Sequence, residues 1–450
     1  MIRVKILEIR QKNWKKQTDE RQISLFDKRG FVMLCTALFI KPACISGISW
    51  LRPLDVFVNA ARFAAVIYLI SLFLKEMKRV KVDRTLWTVI SLLAFSAWEA
   101  LSSVLNGIGI SDWGLLLNSI GILLFSYMAV TINREVFIDG ISKVLGYYVI
   151  LNTLSVILFP GGMYESTKYK QNYFLDYRTA WFAIYLTAAA AVLLYHCEKK
   201  TRESGIRAAL VIICEYISMA LVWTATGLSC VTIGGIFLAV WRRKDKEAPG
   251  VIKVILAQAV IFYAVIIKRF QVYLSFFIVN VLNKDVTFTE RTRIWDNALY
   301  HIKKHIIFGV GKRDASSMRQ LLRYGASHPH CMYLYITLCF GLIGMLLYLI
   351  SVITACGGKT MQEKKGENRI LMAALVAMLT AAQVESFSAT GAVFYPLFLL
   401  AAGIRVPYTE KKKERKIYYG RTGNPVYYRQ FRDKTAGIRP AEIPGPARYR

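Results

Sequence analysis

Charge is scarce in this chain. Only 20% of its 450 residues are Asp, Glu, Lys or Arg, against about 25% in soluble domains. Acidic residues are the scarcer kind, 29 against 59 basic ones, and mean hydropathy is +0.37. Long stretches carry almost no charge, and a run of about 18 such residues reads as a membrane helix. A soluble multidomain protein is thereby excluded. The basic residues behind the net charge of +30 sit in short clusters between apolar runs, and no nucleic-acid partner is expected.

CxxC pairs are also missing. The eight cysteines (35, 44, 197, 214, 230, 331, 339, 356) lie in or beside apolar runs. That argues against a metal site or a disulfide framework and for small packing residues. A small-residue cleavage site is absent before the first apolar run, so the long, mixed-charge N-terminus does not read as a cleaved signal peptide.

Apolar runs fill most of the rest. Twelve spans are expected, at about 30–48, 56–75, 85–106, 113–132, 137–159, 179–197, 206–223, 226–241, 250–267, 330–355, 369–386 and 391–405. Eleven or thirteen remain open. Lys and Arg counts in alternate loops orient them. One set of loops, including both ends of the chain, holds 40, and the other holds 15, eleven of which lie in one long loop, 268–329. Both termini are therefore expected on the cytoplasmic side. The fold expected is all-α: a polytopic transmembrane bundle of about twelve helices with a large extracytoplasmic helical loop between helices nine and ten. Residues 1–29 form a basic cytoplasmic segment, 30–405 the membrane domain, and 406–450 a basic cytoplasmic tail. With no apolar period, that tail reads as disordered and resting on anionic lipid.

The long outer loop is the natural site, since a rigid scaffold can present chemistry on loops. Thr287-Phe288-Thr289-Glu290 fits a helix capping box. Apolar Trp295, Leu299, Ile302 and Ile306 then recur at helical spacing, and Gly309 is a plausible stop. A surface helix is expected from 288 to 307, its other face carrying Arg293, Asp296, Asn297, His301, Lys304 and His305. His301 and His305 share a face, but HIKKH lacks the acidic residue and third ligand of a zinc site. Ser327-His328-Pro329-His330 precedes another apolar run. A histidine there is placed for proton transfer or is an ordinary polar cap.

These residues resemble the O-antigen ligase and polysaccharide polymerase superfamily of bacterial envelopes. Thr289-Glu290-Arg291-Thr292-Arg293-Ile294-Trp295 is similar to its T-G-R-x-x-x-W. Phe308-Gly309-Val310-Gly311 is similar to its G-x-G. His330-Cys331-Met332-Tyr333-Leu334, with Gly341 beyond it, resembles its H-N-x-Y-L…G. Thr224-Ala225-Thr226-Gly227-Leu228 and the second outer loop, Phe174-Leu175-Asp176-Tyr177-Arg178, are weaker echoes. Glu290 and Cys331 depart from the pattern.

The resemblance implies a multi-pass enzyme of the bacterial cytoplasmic membrane. Its implied partners are a polyprenyl-pyrophosphate-linked oligosaccharide, membrane lipids and other polysaccharide-assembly proteins. Arg291 is expected at the pyrophosphate, where an always-charged fork stabilises the leaving group. His330 is expected to activate the acceptor hydroxyl. Arg178, Arg293, His328 and Glu385 are candidates for holding pyrophosphate or sugar. Glu99 and Glu385 stand to line a sugar cavity or to play a paired structural role. No metal and no cofactor are expected, because arginines can carry the charge work and the outer loops hold no DxD motif. A polymerase of lipid-linked repeat units leads. A ligase moving glycan to a lipid or protein is the alternative, and a non-catalytic lipid-linked-sugar transporter is a third class.

Overall fold

A computed structural model describes residues 25–76, 82–109, 113–166, 170–178, 180–270, 273, 291–387, 391–406, 418–419 and 425–426. The capping box at 287–290 and nearly all of the basic tail lie outside these. The chain divides into two compact units, Met1–Tyr408 and Thr409–Arg450. In the second, Tyr418–Tyr419 pairs antiparallel with Pro425–Val426. All further description concerns the first unit, which is helical.

Its helices are α1 Arg29–Phe39, α2 Arg52–Glu76, α3 Arg84–Leu105, α4 Trp113–Leu158, α5 Phe182–Lys199, α6 Arg202–Leu221, α7 Ala225–Arg243, α8 Val251–Phe262, α9 Arg291–Lys304, α10 Ala315–Leu322, α11 Met332–Cys356, α12 Lys365–Ala381 and α13 Tyr395–Gly403, apart from single turns. Among the described residues, six segments are long and apolar enough to cross a membrane: Ser49–Lys75, α3, α4, α6, α7 and α11. Their apolar residues are often exposed, and in stripes. Phe63, Ile67, Ile70 and Leu74 line one face of α2; Ile206, Leu210, Ile213, Ile217 and Leu221 line one of α6; Leu342, Leu346, Ile350 and Ile353 line one of α11. Exposed apolar faces of that extent belong against lipid. By contrast α5, α12 and α13 are buried almost all round and form the centre.

The 46 residues of α4 are two helices. Asn133 leaves the helical region (φ −148°, ψ 87°). Its side chain accepts from the Val136 amide at 3.2 Å, so it caps the second half. Phe125 and Phe137, about 18 Å apart along a continuous helix, have ring centroids 5.7 Å apart. The chain reverses there, between the expected spans 113–132 and 137–159. Arg134 in the bend ties it to two neighbours, bonding Glu198 at the end of α5 at 2.5 Å and Glu367 at the start of α12.

Other expected spans differ. The run 30–48 is continuously helical only to Phe39, with a single further turn at Cys44–Gly47, because Pro42 and the residue before it disfavour helix. Arg62 then donates to the freed Leu38 carbonyl at 2.6 Å. With α1 at eleven residues and α13 at nine, twelve full crossings do not follow from these helices. The surface helix expected at 288–307 is described as Arg291–Lys304, and a turn, not Gly309, ends it.

Candidate functional site

Three interrupted elements meet at one end of the bundle. Arg291 opens α9, Thr226 lies in the first turn of α7, and Glu385 follows the end of α12. One Arg291 nitrogen donates to the Val384 carbonyl, and the other lies 3.5 Å from Glu385 Oε1. Thr226 donates to that same oxygen at 3.3 Å. Both charged side chains are about a fifth accessible, 23% for Arg291 and 21% for Glu385. Burial raises the Glu385 carboxyl above the usual range, opposed by the Arg291 charge and the two hydrogen bonds.

His330 joins this group from the segment before α11. Its backbone is left-handed, φ 51°, a conformation that costs a non-glycine residue about 1–2 kcal/mol. Neighbours hold it there. The Trp295 indole on α9 donates to the Pro329 carbonyl at 2.9 Å, and the His330 amide donates to His328 Nδ1 at 3.3 Å. The two imidazole rings lie 4.1 Å apart. Burial, then His328 and Arg291 beside it, push the His330 pKa down to about 3. The ring is therefore neutral at ordinary pH. Its buried Nδ1 has no hydrogen-bond partner among the described residues.

A backbone lock fixes the approach of α9 to α11. Gly341 (φ 65°) breaks α11, and the stretch after α9 lies against the break. Val310 and Gly311 amides donate to the Leu338 and Cys339 carbonyls at 2.9 Å, and the Leu342 amide donates to Ile306 at 2.8 Å. A Cβ on Gly341 would lie 2.0 Å from the Ile307 oxygen, and one on Gly309 (φ 73°) 2.4 Å from the Cys339 carbonyl. Only glycine fits either place. The C-terminal end of α3 clamps the joint: Trp98 donates to Phe340 at 2.8 Å, and Ser102 to Phe308 at 2.7 Å.

Of the residues expected at the site, Arg291, His330, His328 and Glu385 come together. Arg293, two positions along α9, turns about 200° away and its guanidinium sits over the Tyr324 ring at 5.7 Å. The recorded contacts of Arg178 stay in its own loop, with Gln171 at 3.2 Å and the Tyr177 ring at 6.0 Å. Glu99 lines an aromatic cavity with Phe95, Tyr348 and Tyr395 that borders the site through Met332 and Phe387. Asp296 pairs with Arg269 at 2.5 Å. Among the described residues, no three His, Cys, Asp or Glu side chains gather around a common point. Thr226 was marked only by a weak motif echo, and Trp295 by a motif and the apolar stripe; their partners are 159 and 34 residues away.

With this geometry in hand, comparison with known families bears on one segment. Residues 209–349 match the O-antigen ligase family model. The match supports the superfamily of O-antigen ligases and polysaccharide polymerases, and an enzyme of that type in the membrane. It covers Thr226, Arg291 and His330 and stops short of Glu385, which the fold brings to the O-antigen ligase-like segment from outside. No curated protein matches the chain.

Proposed function

We propose that this protein is a metal-independent glycosyltransferase that polymerises polyprenyl-pyrophosphate-linked oligosaccharide repeat units at the outer face of the bacterial cytoplasmic membrane. The observation that carries the reading is the meeting of a charged guanidinium and a neutral imidazole in one half-buried cluster, Arg291 beside His330. Transfer breaks the bond from the anomeric carbon to pyrophosphate, and negative charge grows on the leaving group. Arg291 neutralises that charge, exchanging its loose 3.5 Å contact with Glu385 for phosphate oxygens. Glu385 and Thr226 keep the guanidinium placed in the empty enzyme. His330, held unprotonated, accepts the proton of the acceptor hydroxyl. A pKa of about 3 makes it a weak base in the empty site. Pyrophosphate on Arg291 offsets one of the charges that depress it. The lipid chain of the donor stays among the exposed apolar faces of the bundle.

The matched family description, O-antigen ligase, favours a second reading: transfer of finished glycan to another acceptor. Replacing Arg291 or His330 with Ala in the native host, at unchanged protein level, separates the two. Accumulated single lipid-linked repeats support polymerisation. Normal-length polymer left on its lipid supports ligation. Normal glycan in both variants overturns the assignment.

A further inference from the structure

A second polar cavity lies at the opposite end of the same helices. It is lined by His196, Cys197 and Lys200 from α5 and its cap, Arg242 near the end of α7, and Gly366 and Arg369 at the start of α12. Thr226 and Arg242 are 16 residues apart on α7, so about 24 Å separates this cavity from the candidate site. That is close to the depth of a bilayer's hydrocarbon. The two sites therefore face opposite membrane surfaces.

The lining contains three basic side chains, Lys200, Arg242 and Arg369, and no carboxylate. Arg369 is engaged, donating to Asp245 at 2.5 Å. Lys200 and Arg242 form no ion pair among the described residues, although Glu198, Glu367 and Asp245 stand nearby and pair with Arg134, Lys364 and Arg369 instead. Lys200 takes a left-handed cap position (φ 53°) that glycine would fill without strain. The inward wall is apolar, made by Leu193, Leu238 and Ile370. Simple compensation of helix ends accounts for cations on the last turns of α5 and α7. It does not account for Arg369, on the second turn of α12, converging on the same space.

We infer that this cavity binds the phosphate of an anionic phospholipid, with Lys200 and Arg242 on the headgroup and the acyl chains along Leu193, Leu238 and Ile370. Basic pockets between membrane helices take such headgroups. A free phosphate would satisfy the cations but not the apolar wall.

Native mass spectrometry of the full-length protein, released from mixed phosphatidylglycerol and phosphatidylcholine, tests this. Wild type is expected to retain phosphatidylglycerol in preference to phosphatidylcholine, and Lys200→Gln with Arg242→Gln to lose that retention by about tenfold. The charge-preserving pair Lys200→Arg and Arg242→Lys is expected to restore it, which separates headgroup binding from damage to the fold. Excess inorganic phosphate should leave the bound lipid in place. Equal retention of the two lipids, equal retention by the Gln variant, or displacement by phosphate would each overturn the lipid assignment.

Discussion

The histidine at the site is set by its surroundings more than by its own chemistry. Burial, then His328 and Arg291, hold the His330 ring down to about 3 from an ordinary 6.5. Two consequences follow from the sign of that shift. Between about pH 3 and 6.5 the unfolded chain binds a proton at this position that the folded chain refuses. Stability is therefore lost as pH falls through that window, and the loss should be smaller in His330→Gln. Thermal unfolding of both proteins at neutral and mildly acidic pH measures it. The same neutrality predicts that kcat/KM has no acidic limb near pH 6.5, since that profile reports groups of the free enzyme. A limb at that pH would mean the imidazole titrates normally. The sequence offered Arg291 and His330 as candidates through their motifs. It could not offer the Thr226 bond to Glu385 or the Trp295 bond to Pro329, because each joins residues that only the fold makes neighbours.

At the level of elements, the joint between the end of α9 and the break in α11 sets the spacing between Arg291 and His330. Gly309 and Gly341 make it possible, each at positive φ with a carbonyl where a Cβ would go. Gly341→Ala should destabilise the protein by at least about 2 kcal/mol, combining left-handed strain with the clash. Gly235→Ala on α7, where nothing lies within 4 Å, should be neutral or stabilise by about 0.5–1 kcal/mol. Denaturation midpoints in one detergent compare the two. Equal effects would remove the lock from the account. Both motif glycines were visible in the sequence as punctuation, yet their pairing was not, since a glycine in an apolar run does not say which carbonyl approaches it. Helix interiors were readable for the same reason that breaks were not. A hydropathy window averages over Pro42 and Gly341 even with Lys41 beside the first, whereas Arg134 and Glu135 next to Asn133 separated the expected spans 113–132 and 137–159.

Seen whole, the molecule places two polar clusters at opposite ends of α7 and α12. The interrupted ends of α7, α9, α11 and α12 gather the charged cluster at one end. The other ends of α5, α7 and α12 gather the Arg134 bridges and the basic cavity. The membrane character was plain in composition, and the stripes on α2, α6 and α11 give it geometry. The number of crossings was not, because buried helices such as α5 and α12 need not match the bilayer thickness that lipid-facing ones must. Distance between loops was equally hidden. Arg178 and Arg291 both fall in outer loops by the charge count, yet the described contacts of Arg178 are local.

The central claim is that the Arg291 guanidinium carries the leaving pyrophosphate. Its most direct test is release of polyprenyl pyrophosphate from a defined lipid-linked repeat unit by purified, reconstituted protein, comparing wild type with Arg291→Lys. Lysine keeps the charge but loses the two-pronged donor. The account predicts a fall of about a hundredfold or more in turnover, with folding and donor binding largely kept. Turnover within about twofold of wild type would contradict it.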